Sequence, residues 1–199
     1  MSKSSDESVV HENKTFSNIN YAEKKLRNRE FVKCEFVSCD FSKSDLRNNT
    51  FDDCHFKNCD FTMAAVEGAG FRNAIFNDCK LLGIDFTQCN MFMFSFSFTD
   101  CRLDYSTFLG TRIKKTNFRN CTLLDVDFSQ ADLSASVFSN CDLSKARFVN
   151  TILEKTDFRT AHNFAIDPEN NKIKKAKFSA LNLEGLLTKY NIDIDYDAQ

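Results

Sequence analysis

The residues able to do chemistry in this 199-residue chain are nine cysteines, three histidines and 28 acidic side chains. Cys34, Cys39, Cys54 and Cys59 are the nearest approach to a thiolate metal cluster. They lack the short C-x₂₋₄-C spacing that brings ligands to one zinc ion. An odd cysteine count with regular spacing also argues against a disulfide framework, and buried thiols serve well as small apolar fillers. His11, His55 and His162 are far apart in sequence, and neither a Gly-rich phosphate loop, a nucleophile elbow nor an HExxH motif is present. Asp40, Asp45, Asp60, Asp85, Asp127, Asp132, Asp142 and Asp157 each directly precede an apolar residue, a position suited to turn hydrogen bonding. The expectation is a protein that is not an enzyme and has no metal or cofactor.

What must position these residues is a strict period of five. Apolar residues recur at Phe31, Phe36, Phe41, Leu46, Phe51 and onward to Met91 and Phe96, then, after a two-residue slip, from Leu103 to Phe158. Two places before many of them stands Cys, Ser or Ala. Five fits neither the 3.6 of a helix nor the 2 of a strand, so one short unit stacks on itself as a solenoid. The cysteines size the coil independently: Cys39, Cys59 and Cys79 are twenty apart, as are Cys101, Cys121 and Cys141. A twenty-residue coil puts all six in one column, at a rise of ~4.8 Å per coil, and places His55 and His162 out of mutual reach. The 22 phenylalanines supply a continuous core.

The runs Ala131-Asp132-Leu133-Ser134-Ala135, Cys141-Asp142-Leu143-Ser144-Lys145 and Cys59-Asp60-Phe61-Thr62-Met63 resemble the A(D/N)LXX unit of pentapeptide-repeat proteins. That resemblance implies an all-β, right-handed quadrilateral β-helix, one pentapeptide per side. The chain divides into a polar segment at residues 1–15, the β-helix at 16–160, a post-repeat segment at 161–178 containing the turn-like Ile166-Asp167-Pro168-Glu169, and a short C-terminal α-helix and tail at 179–199. Within the family, Leu82-Gly83-Ile84 with Cys89, and residues 166–173, resemble the Qnr and microcin-immunity group. For that group the implied role is a dimeric DNA mimic that binds DNA gyrase or topoisomerase IV and protects it from quinolones or other poisons. The alternative is a protein-interaction scaffold with another partner.

Two segments carry individuality. In Met91-Phe92-Met93-Phe94-Ser95-Phe96-Ser97-Phe98, Phe92 and Met93 follow an anchor and would form an exposed apolar ledge, unless the bulge folds its extra side chains back onto the core. In the tail, Leu183, Leu186, Leu187 and Tyr190 follow helical spacing, with Ser179 or Asn182 as N-cap, and a short strand is expected around Ile192 and Ile194. The helical stripe would cover the last coil, meet a second copy in a homodimer, or do both.

Charge bears on the partner. The chain has 28 acidic and 26 basic residues, far from the one negative charge per ~1.7 Å of a duplex. Asp45, Glu67, Asp85 and Asp127 fall on one side and are the candidate acidic stripe, against Arg47 and Arg147; a merely solvated face is the competing reading. Direct nucleic-acid binding through Arg112, Lys114, Lys115, Lys172, Lys174, Lys175 and Lys177 is not expected from this net charge. The sequence has no segment reading as a signal peptide or membrane span, so a cytoplasmic location is expected.

Overall fold

A computed structural model describes residues 9–195. The chain is a right-handed quadrilateral β-helix. Ten short strands form one wholly parallel sheet: β1 (Val9–Glu12), β2 (Thr15–Ser17), β3 (Arg29–Val32), β4 (Glu35–Val37), β5 (Thr50–Asp52), β6 (His55–Lys57), β7 (Gly70–Asn77), β8 (Phe94–Thr99), β9 (Asn117–Arg119) and β10 (Val137–Ser139). Register advances by twenty, as in Phe31↔Phe51 and Phe36↔Phe56. Single parallel bridges continue it on the other sides, as in Asp40↔Asp60 and Asp127↔Arg147.

The pentapeptide explains each corner. Two places after most anchors the backbone enters the left-handed region, at Asn48, Asp53, Asn58, Lys115, Asn120, Asp125, Asn140 and Lys155, and at Gly68, Gly83 and Gly110. Side chains branched at Cβ are excluded there by sterics, and no Val, Ile or Thr occupies such a position among the described residues. Each of the eight aspartates singled out above accepts a hydrogen bond from the backbone N–H two residues on, for example Asp60 from Thr62 at 2.9 Å and Asp142 from Ser144 at 3.0 Å. The aspartates are thus turn-makers.

Inside, the anchors stack. Nine phenylalanines, Phe16, Phe36, Phe56, Phe76, Phe98, Phe118, Phe138, Phe158 and Phe178, form one column with ring centroids 4.7–5.4 Å apart. Offset stacking at this separation adds to area burial. All nine cysteines are free and buried. In the predicted column the Cys39 N–H points at the Cys59 sulfur and the Cys59 N–H at the Cys79 sulfur, each at 3.4 Å, while the Cys39, Cys59 and Cys79 thiols each donate to a carbonyl of the preceding coil. Ser106, Ser136, Thr151 and Thr156 use their hydroxyls in the same way, which is why Cys, Ser and Thr interchange at this inward position.

The structure moves several expected boundaries. The ladder begins at Val9, which pairs with Arg29, instead of at Phe16; residues 1–8 lie outside the described residues. It also runs past 160, because Ile152 bridges Lys172 and Asp157 bridges Lys177. The slip falls earlier than the anchor series implied. Phe71 pairs with Phe94 but Ala74 with Phe96 and Phe76 with Phe98, so the extra residues enter before Phe96, and Phe98 is the anchor that continues the column. Met91, expected inside, is 43% exposed.

At the C-terminus two 3₁₀ segments, Ala180–Leu186 and Thr188–Tyr190, replace a regular α-helix, with non-helical backbone at Asn182. Ser179 caps the first and Asn182 completes a capping box, so both cap candidates are used. The Asn182 amide also donates to the carbonyls of Phe158 and Ala161, which draws the segment out of α geometry and onto the last coil. Gly185 is packed so closely that a Cβ would come within 2.4 Å of the Phe164 ring. No strand forms at Ile192–Ile194.

Candidate partner-binding surface

No group of acidic, histidine or cysteine side chains among the described residues is arranged to hold a metal ion. His11 stacks on Phe31 at 5.0 Å in the first coil, and its pKa is lowered by burial and by Lys14 and Arg29. His162 lies 3.6 Å from Asp142 on another coil. Burial pushes the Cys54 thiol up to about 12 and raises Cys39 and Cys89 as well, so these sulfurs keep their protons.

The candidate acidic stripe shares one side, and two of its four carboxylates are closely paired. Arg27 and Arg47 both clasp Asp45, and Arg147 clasps Asp127. Burial opposes ionisation of Asp127, yet hydrogen bonds from Ser129 and Arg147 outweigh it and hold the carboxyl below its ordinary range. Glu67 is 3.7 Å from Arg47, and Asp85 accepts from the N–H and hydroxyl of Thr87. Arg27 is the partner that sequence reasoning missed. Its spacing from Asp45, eighteen residues, is two short of the coil and so gave no register signal.

The same rung-to-rung neutralisation recurs in Arg72 with Asp52, Lys80 with Asp60 and Lys177 with Asp157. Such pairs mainly set local geometry, since exposed ion pairs contribute only ~0–1 kcal/mol. This side does not present the unbroken negative charge of a duplex.

The mid-rod bulge divides its aromatics. Asn90 caps the 3₁₀ turn Met91–Met93 by accepting from the Phe92 N–H at 3.1 Å. Phe94, Phe96 and Phe98 fold back, with Phe96 packed against Phe86, Phe98 and Phe108. Phe92 does not: it is 99% exposed beside Met91. The side chain of Met93 lies outside the described residues. The bulge thus both repairs the core and leaves a single aromatic knob on a capped 3₁₀ turn.

The C-terminal apolar residues divide similarly. Leu186 packs against the core, while Leu183, Leu187 and Tyr190 stay exposed. Lys189 binds Asp167 at 2.7 Å and Glu169 at 2.6 Å, and the Tyr190 hydroxyl donates to Glu169, fastening the cap to the loop beneath it.

A family model described as a pentapeptide repeat region matches residues 29–108, 49–124 and 111–187. Among solved structures, two trypsin-treated forms of QnrB1, described as a plasmid-mediated fluoroquinolone resistance protein, superpose with TM-scores of 0.55 and 0.54. Each is 20% identical, over 94% of this chain and 99% of that one. HetL, a pentapeptide repeat protein involved in heterocyst differentiation regulation from the cyanobacterium Nostoc sp. strain PCC 7120, is 16% identical over 85% of this chain and 86% of its own, with a TM-score of 0.41. Among curated proteins none matches the sequence. With its period of five, its twenty-residue register and a family match spanning most of its length, the chain belongs to the pentapeptide-repeat family.

Proposed function

We propose that this chain is a non-enzymatic rod that binds a type II topoisomerase, DNA gyrase or topoisomerase IV, and protects it from quinolones or related poisons. The observation that carries the reading is its end-to-end likeness to QnrB1, described as a fluoroquinolone resistance protein, with nearly the whole of both chains superposed. Such a role belongs in the cytoplasm, and no helix among the described residues is long and apolar enough to cross a membrane.

The recognition element in this reading is the Phe92 knob, not an acidic stripe. Asp45 and Asp127 are already satisfied by arginines, whereas Phe92 offers its whole ring to a pocket. Aromatic anchors of this kind dominate protein interfaces. The rod works as a homodimer joined through Leu183, Leu187 and Tyr190, the part of the C-terminal apolar set that its own last coil leaves uncovered.

The test is a gyrase supercoiling and drug-stabilised cleavage assay with graded amounts of protein. Modest amounts should lower quinolone-stabilised cleavage, and excess should inhibit supercoiling. The scaffold alternative gains if neither enzyme is bound at low salt, and the Phe92 ledge would then serve a different protein.

A further inference from the structure

Four successive rungs of the C-terminal half stack in register on one side, through Arg112↔Asp132, Asp132↔Ile152 and Ile152↔Lys172. This side carries Arg112, Lys115, Lys155, Lys172, Lys174 and Lys175, all exposed. None of the six has a side-chain hydrogen bond or ion pair among the described residues. Of the two carboxylates there, Asp132 is held by Lys114 at 3.0 Å, which leaves Glu154 alone against the six.

Elsewhere in the rod some opposite charges meet across twenty residues, as in Arg72 with Asp52 and Arg147 with Asp127. Here Lys155 and Lys175 occupy the same left-handed corner position of neighbouring coils, whose backbones are joined by the bond from the Lys155 N–H to the Lys174 carbonyl at 3.0 Å. Like charges facing each other across a ladder are destabilising, and neither lysine has an ion pair among the described residues. The net charge of -2 conceals the patch because the N-terminal rungs of the same side carry Glu12, Glu30, Asp52 and Asp53.

We infer that this basic side docks the phosphate backbone of double-stranded nucleic acid. The patch has no exposed aromatic on which single-stranded bases could stack. It also lacks the apolar centre that an acidic protein partner would need, Ile152 being only half-buried among the lysines. What it offers is a row of flexible cations on coils rising ~4.8 Å each, which suits sequence-independent phosphate contacts.

Fluorescence anisotropy of a labelled 20-base-pair duplex of arbitrary sequence tests this without any topoisomerase. Binding should weaken linearly in log–log form between 50 and 200 mM salt, with a slope of about -3.6 to -5.4 for roughly four to six phosphate contacts. Lys155→Glu, Lys174→Glu and Lys175→Glu together should lower affinity at least tenfold. Reversal of Lys24, Lys33 and Lys57 should have a much smaller effect. In the unmodified protein, duplex should shield Lys155, Lys174 and Lys175 from amine acetylation, a readout that does not depend on how the variant folds. No binding at 50 mM salt, equal loss in both triple variants, or uptake of polyglutamate in place of duplex would each overturn the inference.

Discussion

At the corners of the coil the left-handed backbone selects residues by the shape of Cβ. Ala135, at φ 60°, sits there without a glycine's freedom. Ala135→Gly should therefore be neutral or stabilising, while Asn120→Val should cost ~1–2 kcal/mol, both read from denaturant melts. In the core the demand is volume. Phe118, fully buried between Phe98 and Phe138, should lose ~3–5 kcal/mol on truncation to Ala. Cys121→Ala should be mild, and thiol reagents should label the cysteine column only after unfolding. These rules were legible in the sequence because each interior position has one neighbour type above and below. Where that uniqueness fails, reading fails: Phe94, Phe96 and Phe98 offer an apolar residue at every second position, so the bulge has several acceptable phases and only packing selects Phe98.

Among the structural elements, the aspartate turns link the fold to pH. Burial disfavours ionisation of Asp132 and Asp142, but hydrogen bonds from Ser134 and Lys114, and from Ser144 and Asn163, prevail and lower both pKa values. The guanidinium of Arg159 lowers Asp157 directly. Folded values lie below the ordinary ~3.9 of an unfolded aspartate, so their stabilisation is complete above that pH and is lost as pH falls through the folded values. The aspartate contribution to thermal stability should be constant from pH 7 to 5 and fall below pH 4, whereas His11, with its pKa lowered in the fold, adds a separate loss as pH drops below about 6.5. Asp132→Asn with Asp142→Asn, which keeps the acceptor oxygen and removes the charge, should flatten that acid limb.

The C-terminal cap makes a separate prediction. Gly185→Val should loosen the cap by clashing with Phe164. Leu183→Asp with Leu187→Asp should leave the cap in place but halve the mass seen in sedimentation. A wild-type protein that is monomeric at high micromolar concentration would contradict the dimer. The existence of this element was readable from its apolar spacing. Its 3₁₀ form was not, because that depends on where Asn182 finds the carbonyls of Phe158 and Ala161.

Over the whole molecule, the proposed roles rest on the interruptions of a regular rod. The bulge lifts Phe92 into solvent, and one C-terminal side gathers Arg112, Lys115, Lys155, Lys172, Lys174 and Lys175 without ion-pair partners among the described residues. Sequence reasoning placed Arg47 and Arg147 beside the candidate stripe, but Arg27 became visible only once side chains met across coils. The most direct measurement is binding to gyrase, together with protection against quinolone-stabilised cleavage, for three proteins of equal melting temperature: wild type, Phe92→Ser, and the triple reversal Asp45→Lys, Asp85→Lys, Asp127→Lys. The wild type should bind and protect, Phe92→Ser should lose at least tenfold in both, and the triple reversal should change either by less than about threefold, as expected where Asp45 and Asp127 are already ion-paired and Asp85 is engaged in its own turn. Full protection by Phe92→Ser with loss in the triple reversal would contradict this account and restore charge imitation as the recognition principle.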